Sequence, residues 1–187
     1  MENELILRTA RLELVPAAKE HAAALFPLMS DDRVTAFLTW DPHSDEAETA
    51  RVLEGLASAQ ARDAGYHWTI FQNGTAVGIV SLIDVQRTHR SWTLQRAEIA
   101  YWITPQRQGE GLATEAAEAV ATCAFDRLGL QRLRISHTSA NPASGRIPQK
   151  LGFRFVGTER RFFKKNDRWH DMNHYELLID DWKPGSR

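Results

Sequence analysis

The spacing of apolar residues changes several times along this chain, and each change marks an element. Leu5, Ile6 and Leu7, then Leu12, Leu14 and Val15, read as extended, with alternation around Arg11-Leu12-Glu13-Leu14 and a stop at Pro16. From Ala17 to Ser30 the period lengthens. Ala18, Ala22, Leu25, Leu28 and Met29 fall on one helical face, and Pro27, which removes an i→i−4 bond, should kink or end that helix. Val34 to Pro42 is irregular and unusually apolar for a loop. Ser44-Asp45-Glu46-Ala47-Glu48 starts a second helix, with a hydroxyl or carboxylate cap and acids in the first turn, and it runs through Val52, Leu53, Leu56 and Ala59 to near Gly65. Trp68 to Phe71 and Ala76 to Leu82 then flank Asn73-Gly74, a two-residue hairpin signal. Gln86 to Gln95 is polar and turn-like, and Arg96 to Ile103 is the next strand.

Beyond Gly111 a long helix carries Leu112, Ala116, Val120, Ala124 and Leu128 on one stripe, with Ala113, Ala117 and Ala121 beside it, so that it can lie close on a sheet. Gly129 is placed as its C′ residue. Leu130 to His137 alternates as a strand. Asn141 followed by Pro142 opens a short helix to Lys150, and Phe153 to Phe163 is expected to pair with Trp169 to Ile179 across Lys165-Asn166-Asp167. Residues 1–187 contain no repeat, low-complexity tract or linker and are expected to form one domain.

A formal net charge of −1 argues against a chain-wide nucleic-acid surface, and the Arg160-Arg161 and Lys164-Lys165 clusters read as a solvated hairpin. Cys123 is the only cysteine, so no intramolecular disulfide can form; set mid-helix among alanines, it reads as core. The acidic stretch from Met1 to Arg8 is no signal peptide, and no apolar run approaches the roughly 20 residues of a membrane span. A cytoplasmic protein is expected. None of the seven histidines sits in a His-Glu-x-x-His or similar cluster, so no metal is expected.

The chemistry is concentrated where the strand Tyr101-Trp102-Ile103 runs through Thr104-Pro105 into Gln106-Arg107-Gln108-Gly109-Glu110-Gly111-Leu112-Ala113-Thr114. Two glycines let the backbone turn successive N–H groups toward a ligand, and a helix N-terminus adds unbonded donors and the positive end of its dipole. This is an anion cradle. A P-loop would need Gly-Lys-Ser/Thr, and a dinucleotide fold a third glycine where Thr114 stands. With no cation-binding group in the loop, the amides suit a diphosphate that serves as a handle, as in coenzyme A.

Gln106-x-x-Gly109-x-Gly111 resembles the Gln/Arg-x-x-Gly-x-Gly/Ala signature of the GNAT superfamily of acetyl-CoA-dependent N-acetyltransferases. About thirty residues later, Asn141-Pro142-Ala143-Ser144 and Ile147-Pro148-Gln149-Lys150-Leu151-Gly152-Phe153 resemble that family's Asn-x-x-Ser and Glu/Gln-Lys-Leu-Gly-Phe segments. Thr9 to Leu14, Phe37-Leu38-Thr39-Trp40, Ala97 to Trp102 and Trp169 to Tyr175 are similar to the RimJ/RimL branch, whose best-known members acetylate N-terminal amines of ribosomal proteins. The resemblance implies a single α+β or α/β domain of GNAT type. Its mixed, mostly antiparallel sheet would have about seven strands, splayed at strands 4 and 5, with about four flanking helices. It also implies acetyl-CoA as donor and an amine acceptor, either a protein N-terminus or a small molecule such as an antibiotic, amino acid or polyamine. A monomer or homodimer with no nucleic-acid or membrane partner is expected. A binding module that has lost catalysis is the non-enzyme alternative.

Acyl transfer from a thioester to an amine needs a neutral amine, a stabilised oxyanion and a proton for the departing thiolate. Glu98, on the same strand face as Ala100 and Trp102, is the expected base. Many relatives place an acidic tyrosine where this chain has Pro148; in the RimJ/RimL branch the serine matching Ser144 takes that role. Pro148 also lacks the N–H that would bond the Ser144 carbonyl, leaving it for water or ligand. The resemblance gives cofactor contacts to Trp102 and Ile103, to Gln106 through Thr114, and to Asn141 and Ser144. Trp40, Trp92, Tyr101, Trp169 and Asp171 are the expected walls of the acceptor site, with Asp84 another acid able to hold an ammonium.

Overall fold

The computed structural model describes residues 5–183 and 185. Met1 to Glu4, half of the stretch read above as no signal peptide, lie outside them. The described residues form one eight-stranded sheet in the order β1-β2-β3-β4-β5-β6-β8-β7, where β1 is Leu7–Arg8, β2 Glu13–Pro16, β3 Tyr66–Gln72, β4 Thr75–His89, β5 Trp92–Ile103, β6 Arg132–Thr138, β7 Arg154–Lys165 and β8 Arg168–Leu178. Five α-helices accompany it: α1 Ala22–Met29, α2 Asp32–Thr35, α3 Glu46–Ala61, α4 Leu112–Asp126 and α5 Pro142–Lys150. The N-terminal apolar run is two short strands because Thr9 to Leu12 turns back on itself, the Thr9 N–H reaching the Leu12 carbonyl at 3.0 Å. The apolar loop after Ser30 begins with a single helical turn capped by Asp31. Both account for one strand and one helix more than expected.

Local sequence decides most boundaries. Asp45 caps α3 by accepting from the Glu48 N–H at 2.7 Å, while Glu48 accepts from the Ser44 N–H and hydroxyl, so the two ends of the first turn satisfy each other. Asn73-Gly74 and Asn166-Asp167 take positive φ at both residues, the geometry of two-residue hairpin turns. The stretch from Gln86 to Gln95 differs from the expected turn: β4 and β5 stay paired to His89 and Trp92, beyond the core. Apart from Trp92 and Leu94 the side chains there are polar, and no buried face sets their pattern.

The sheet is covered on both sides. Trp68, Ile70, Val80, Leu82, Ile99, Leu133 and Ile135 form the main core with Leu112, Ala116, Val120 and Ala124 of α4, whose alanines let the helix lie close. On the other face Leu25, Met29 and Leu53 of α1 and α3 pack on Ala76 and Ile79. Cys123 lies in the main core, and burial pushes its thiol up to about 11. No helix among the described residues is long and apolar enough to cross a membrane.

One ladder is parallel. β5 pairs with β6 only from Arg96 to Glu98 against Arg132 to Arg134, and there the pairing ends. Ile99 to Ile103 continue along β4, and Ile135 to Thr138 along β8. A wedge therefore opens between β5 and β6. It is the splay expected between strands 4 and 5, shifted one place by the extra N-terminal strand.

Gly78 of β4 fixes how close the two strands of the wedge's outer wall can lie. A Cβ there would stand 2.1 Å from the Trp102 carbonyl oxygen, a backbone atom that cannot move aside alone. Gly78→Ala is expected to lower stability by about 2 kcal/mol. An unchanged denaturant midpoint would show that the contact is not a constraint.

Candidate active site

The wedge leads into a cleft of about 290 Å³. Its wall on the α4 side is the cradle read from the sequence. Gly109 and Gly111 both sit at φ +81°, a left-handed conformation that costs glycine nothing and other residues a good deal. Gly111 is also the N-cap of α4, so no side chain caps the helix, and the first amides of a 15-residue helix face the cleft without one. The nearest first-turn carboxylate, Glu115, is neutralised from behind. Arg11 donates to it through Nε at 2.7 Å and through its own N–H at 3.0 Å, Thr9 adds its hydroxyl, and Arg11 Nη1 holds the Glu110 carbonyl at 3.0 Å. Burial works to raise the Glu115 carboxyl, but the bonds from Thr9 and Arg11 outweigh it and keep the group below its ordinary value. The Thr9-to-Leu14 signature thus braces the cradle. These features fit an anionic diphosphate.

On the opposite wall, Asn141 caps α5, its side-chain oxygen accepting from the Ser144 N–H at 3.2 Å. Pro148 has no N–H to give the Ser144 carbonyl, and the structure supplies another donor: the Tyr101 hydroxyl donates to that carbonyl at 3.1 Å and accepts from the Ser144 hydroxyl at 3.3 Å. The carbonyl expected to be free for water or ligand is therefore taken. Tyr101 projects from β5 and Ser144 stands at the start of α5, so this pair spans the mouth of the wedge. Burial raises the Tyr101 phenol well above its ordinary value, against a smaller opposite effect from Ser144.

The remaining expected residues divide clearly. Trp102, Ile103, Arg107, Gln108, Leu112, Ala113, Thr114, Asn141 and Ser144 line the cleft with the two glycines; Gln106 and Glu110 do not. Gln106 is engaged by Thr104, and Glu110 pairs with Arg107 at 2.9 Å. Glu98 lies elsewhere. It is still within the paired part of β5, 3.9 Å from Arg134, and it lines a smaller cavity that also contains Asp84, Arg96 and Arg132.

Among the expected acceptor walls, Tyr101 alone lines the cleft. Trp40 is half-buried behind it, 6.1 Å from the Trp102 ring. Trp92 is exposed at the far end of β5, nine residues or about 30 Å along the strand from Tyr101. Trp169 is exposed near the tip of the β7–β8 hairpin, opposite Lys164. Asp171 accepts from the Arg161 N–H at 2.9 Å, which makes it a support of a strand irregularity. Exposure and aromatic character in the sequence carry no information about which end of a strand meets the site.

Eight residues without an expected site role complete the walls: Arg33, Phe37, Arg146 and Lys150, with the smaller Val34, Leu38, Ala143 and Ile147 between them. The segment carrying Phe37 is held by Lys165, whose ammonium donates to the carbonyls of Thr35, Leu38 and Trp40 at 2.8, 2.8 and 3.0 Å. The partners are backbone atoms some 125–130 residues away, and no local pattern announces them.

Comparison with known proteins agrees with this geometry. The acetyltransferase (GNAT) domain family matches residues 11–154. The uncharacterized N-acetyltransferase YoaA of Bacillus subtilis is 29% identical over 92% of this chain and 96% of its own length. The ribosomal-protein-serine acetyltransferase of Escherichia coli is 25% identical over 95% of this chain and 98% of its own. The solved structure of RimL, a ribosomal L7/L12 alpha-N-protein acetyltransferase in complex with coenzyme A, superposes with a TM-score of 0.86 at 24% identity, covering 94% of this chain and 99% of that one. The chain belongs to the GNAT acetyltransferase family and is an acetyl-CoA-dependent N-acetyltransferase.

Because the cradle acts through backbone amides at left-handed glycines, Gly109→Val and Gly111→Val should each raise the acetyl-CoA KM roughly tenfold, the loss of about one charge-assisted hydrogen bond. A folded variant with unchanged KM would remove the cradle from the binding site.

Proposed function

We propose that the protein acetylates the N-terminal α-amine of a protein or peptide by direct attack on acetyl-CoA in a ternary complex. The observation that carries this reading is that neither cavity beside the wedge is net negative: the smaller one sets Arg96, Arg132 and Arg134 against Asp84 and Glu98. Among the described residues the lining of the larger cleft includes Arg33, Arg107, Arg146 and Lys150 and no aspartate or glutamate. A polyamine or aminoglycoside brings several amines that are protonated at neutral pH and calls for carboxylates. An α-amine, with an ordinary pKa of about 7.7–8.0, is partly neutral already and needs none. On the sheet face beyond the wedge Glu98 pairs with Arg134 and Glu176 with Arg132 and Arg154, Asp84 shares the small cavity with Glu98 and three arginines, and Glu159 lies 3.5 Å from His174. The relatives that act on ribosomal proteins support the same acceptor class.

When bound, acetyl-CoA supplies the activated acetyl group and a thiol leaving group. The amides from Gly109 to Thr114 hold its diphosphate, and the wedge beside Trp102 and Ile103 takes the arm. Ser144 gives the proton to the departing sulfur. Tyr101 positions Ser144: its phenol stays protonated, fills the carbonyl that Pro148 leaves open and holds the serine hydroxyl, whose proton turns from the phenol oxygen to the sulfur as the thiolate leaves. Glu98, paired with Arg134 at 3.9 Å, is not the base in this reading.

Ser144→Ala is expected to lower kcat about a hundredfold with little change in acetyl-CoA KM. Tyr101→Phe, which loses both bonds to Ser144, should lower kcat about tenfold at unchanged KM. Full kcat in Ser144→Ala across pH would end the assignment of the acid. The acceptor class is tested by free-thiol release from acetyl-CoA against short peptides varied at the first residue, the same peptides with blocked α-amines, and a set of small amines. Turnover restricted to free α-amines is the expected result. Turnover restricted to small amines would replace the peptide reading, and acetyl-CoA binding without turnover of any amine would contradict it.

A further inference from the structure

Transfer also needs a group that takes a proton from the amine, and the structure places one on the face of the sheet opposite α4 and α5. Side chains alternate along a strand, so the residues of β5 and β6 that pack with α4, Ile99 and Ile135 among them, leave Glu98, Ala100 and Trp102 of β5 and Arg134 and Ser136 of β6 on the other face. Glu98 and Arg134 are the last register pair before the strands part. Ala100 and Ser136 come next on each strand, and they flank the start of the wedge. Ala100 carries only a methyl group, and Ser136 borders the wedge through its place on β6, outside the lining of both cavities. Ser136 does not act alone. Its Oγ lies 2.9 Å from Nδ1 of His174, its register partner on β8, and His174 Nε2 lies 3.5 Å from the Glu159 carboxylate on β7. That Nε2 is buried and makes no hydrogen bond, while Phe162 stands edge-on to the ring at 5.8 Å.

We propose that Ser136, His174 and Glu159 form the proton relay that deprotonates the acceptor amine. The assignment rests on the acetyltransferase reading of the wedge, and its acid and base come from opposite faces of the sheet. With the Nε2 proton turned toward Glu159, Nδ1 is free to accept. The amine's proton passes to Ser136 Oγ as the Ser136 proton passes to His174 Nδ1. The amine nitrogen keeps its electron pair and bonds to the acetyl carbon, the carbon–sulfur bond breaks, and the sulfur takes its proton from Ser144 on the far side. The imidazolium formed on His174 has Glu159 as its counter-ion and loses its proton to solvent past that exposed carboxylate, while the Ser144 alkoxide regains a proton from solvent, so both groups return to their starting state. Ser136 meets the amine, and His174 and Glu159 act through it.

The test uses whichever amine the full-length protein turns over best, so a wrong acceptor class does not count against the relay. Ser136→Ala and His174→Gln should each lower kcat by about a hundredfold, leave the acetyl-CoA dissociation constant within about twofold, and together cost no more than the worse single change. Glu159→Gln, at an exposed carboxylate, should lower kcat by a smaller factor of about ten. Retention of more than half the kcat in Ser136→Ala, or losses in the double variant that multiply, would overturn the relay. Should His174→Gln fail to fold, Ser136→Ala and Glu159→Gln decide the matter by the same limits. Intact-mass measurement of the protein mixed with acetyl-CoA alone should show no acetylated serine; an acetyl group on Ser136 would make the serine a nucleophile and refute its role as a relay.

Discussion

The parting of two parallel strands is the constraint on which the molecule depends. β5 and β6 share three register pairs and then separate, each keeping its antiparallel partner. An open edge within a sheet leaves backbone groups without a ladder, a cost that a monomeric core ordinarily avoids. In the proposed reading it serves as a passage through the sheet from the α4 and α5 side to the opposite face. A thioester held on one side can meet an amine arriving from the other, and the two reactants need not compete for the same volume. Proximity of this kind accounts for much of the rate that positioning can supply.

The separation has to be held at a fixed width, and the ties that do so come from distant parts of the chain. Tyr101 reaches across the mouth to the start of α5, where Pro148 has removed the ordinary intrahelical donor. A proline that looks like the loss of a catalytic position is also the reason a phenol can dock there. Arg11 and Thr9 tie the N-terminal turn to Glu115 and so set the entry to α4. Lys165, from the last hairpin, gathers three carbonyls of the segment that walls the cleft, and it is only 16% exposed. Each tie joins groups with unmet hydrogen-bonding capacity, which is why each can hold a loop without a hydrophobic face.

The elements most legible in the sequence are those whose signals are local. Asn73-Gly74, the Ser44-to-Glu48 cap, the alanine stripe of α4 and the glycines of the cradle each state their geometry within a few residues, and the fold follows them. The cradle wall of the cleft is legible for the same reason, since it is one continuous loop and helix start. The residues expected around an acceptor are scattered instead, because residue type alone cannot say that Trp92 lies about 30 Å along its strand from Tyr101 or that Glu98 faces Arg134. Ser136, His174 and Glu159 are separated by 15 to 38 positions and meet only through strand register. The polar stretch from Gln86 to Gln95 misled because strands that extend past the core have no buried face to set their pattern.

The passage through the sheet is tested most directly by a structure with a bisubstrate analogue, a peptide joined through its α-nitrogen by an acetyl link to the sulfur of coenzyme A. The diphosphate should lie against the amides from Gly109 to Thr114, the link within the wedge beside Tyr101, and the peptide should leave over the face that carries Ser136. A peptide emerging on the same face as the diphosphate, or a link lodged outside the wedge, would contradict the two-sided site.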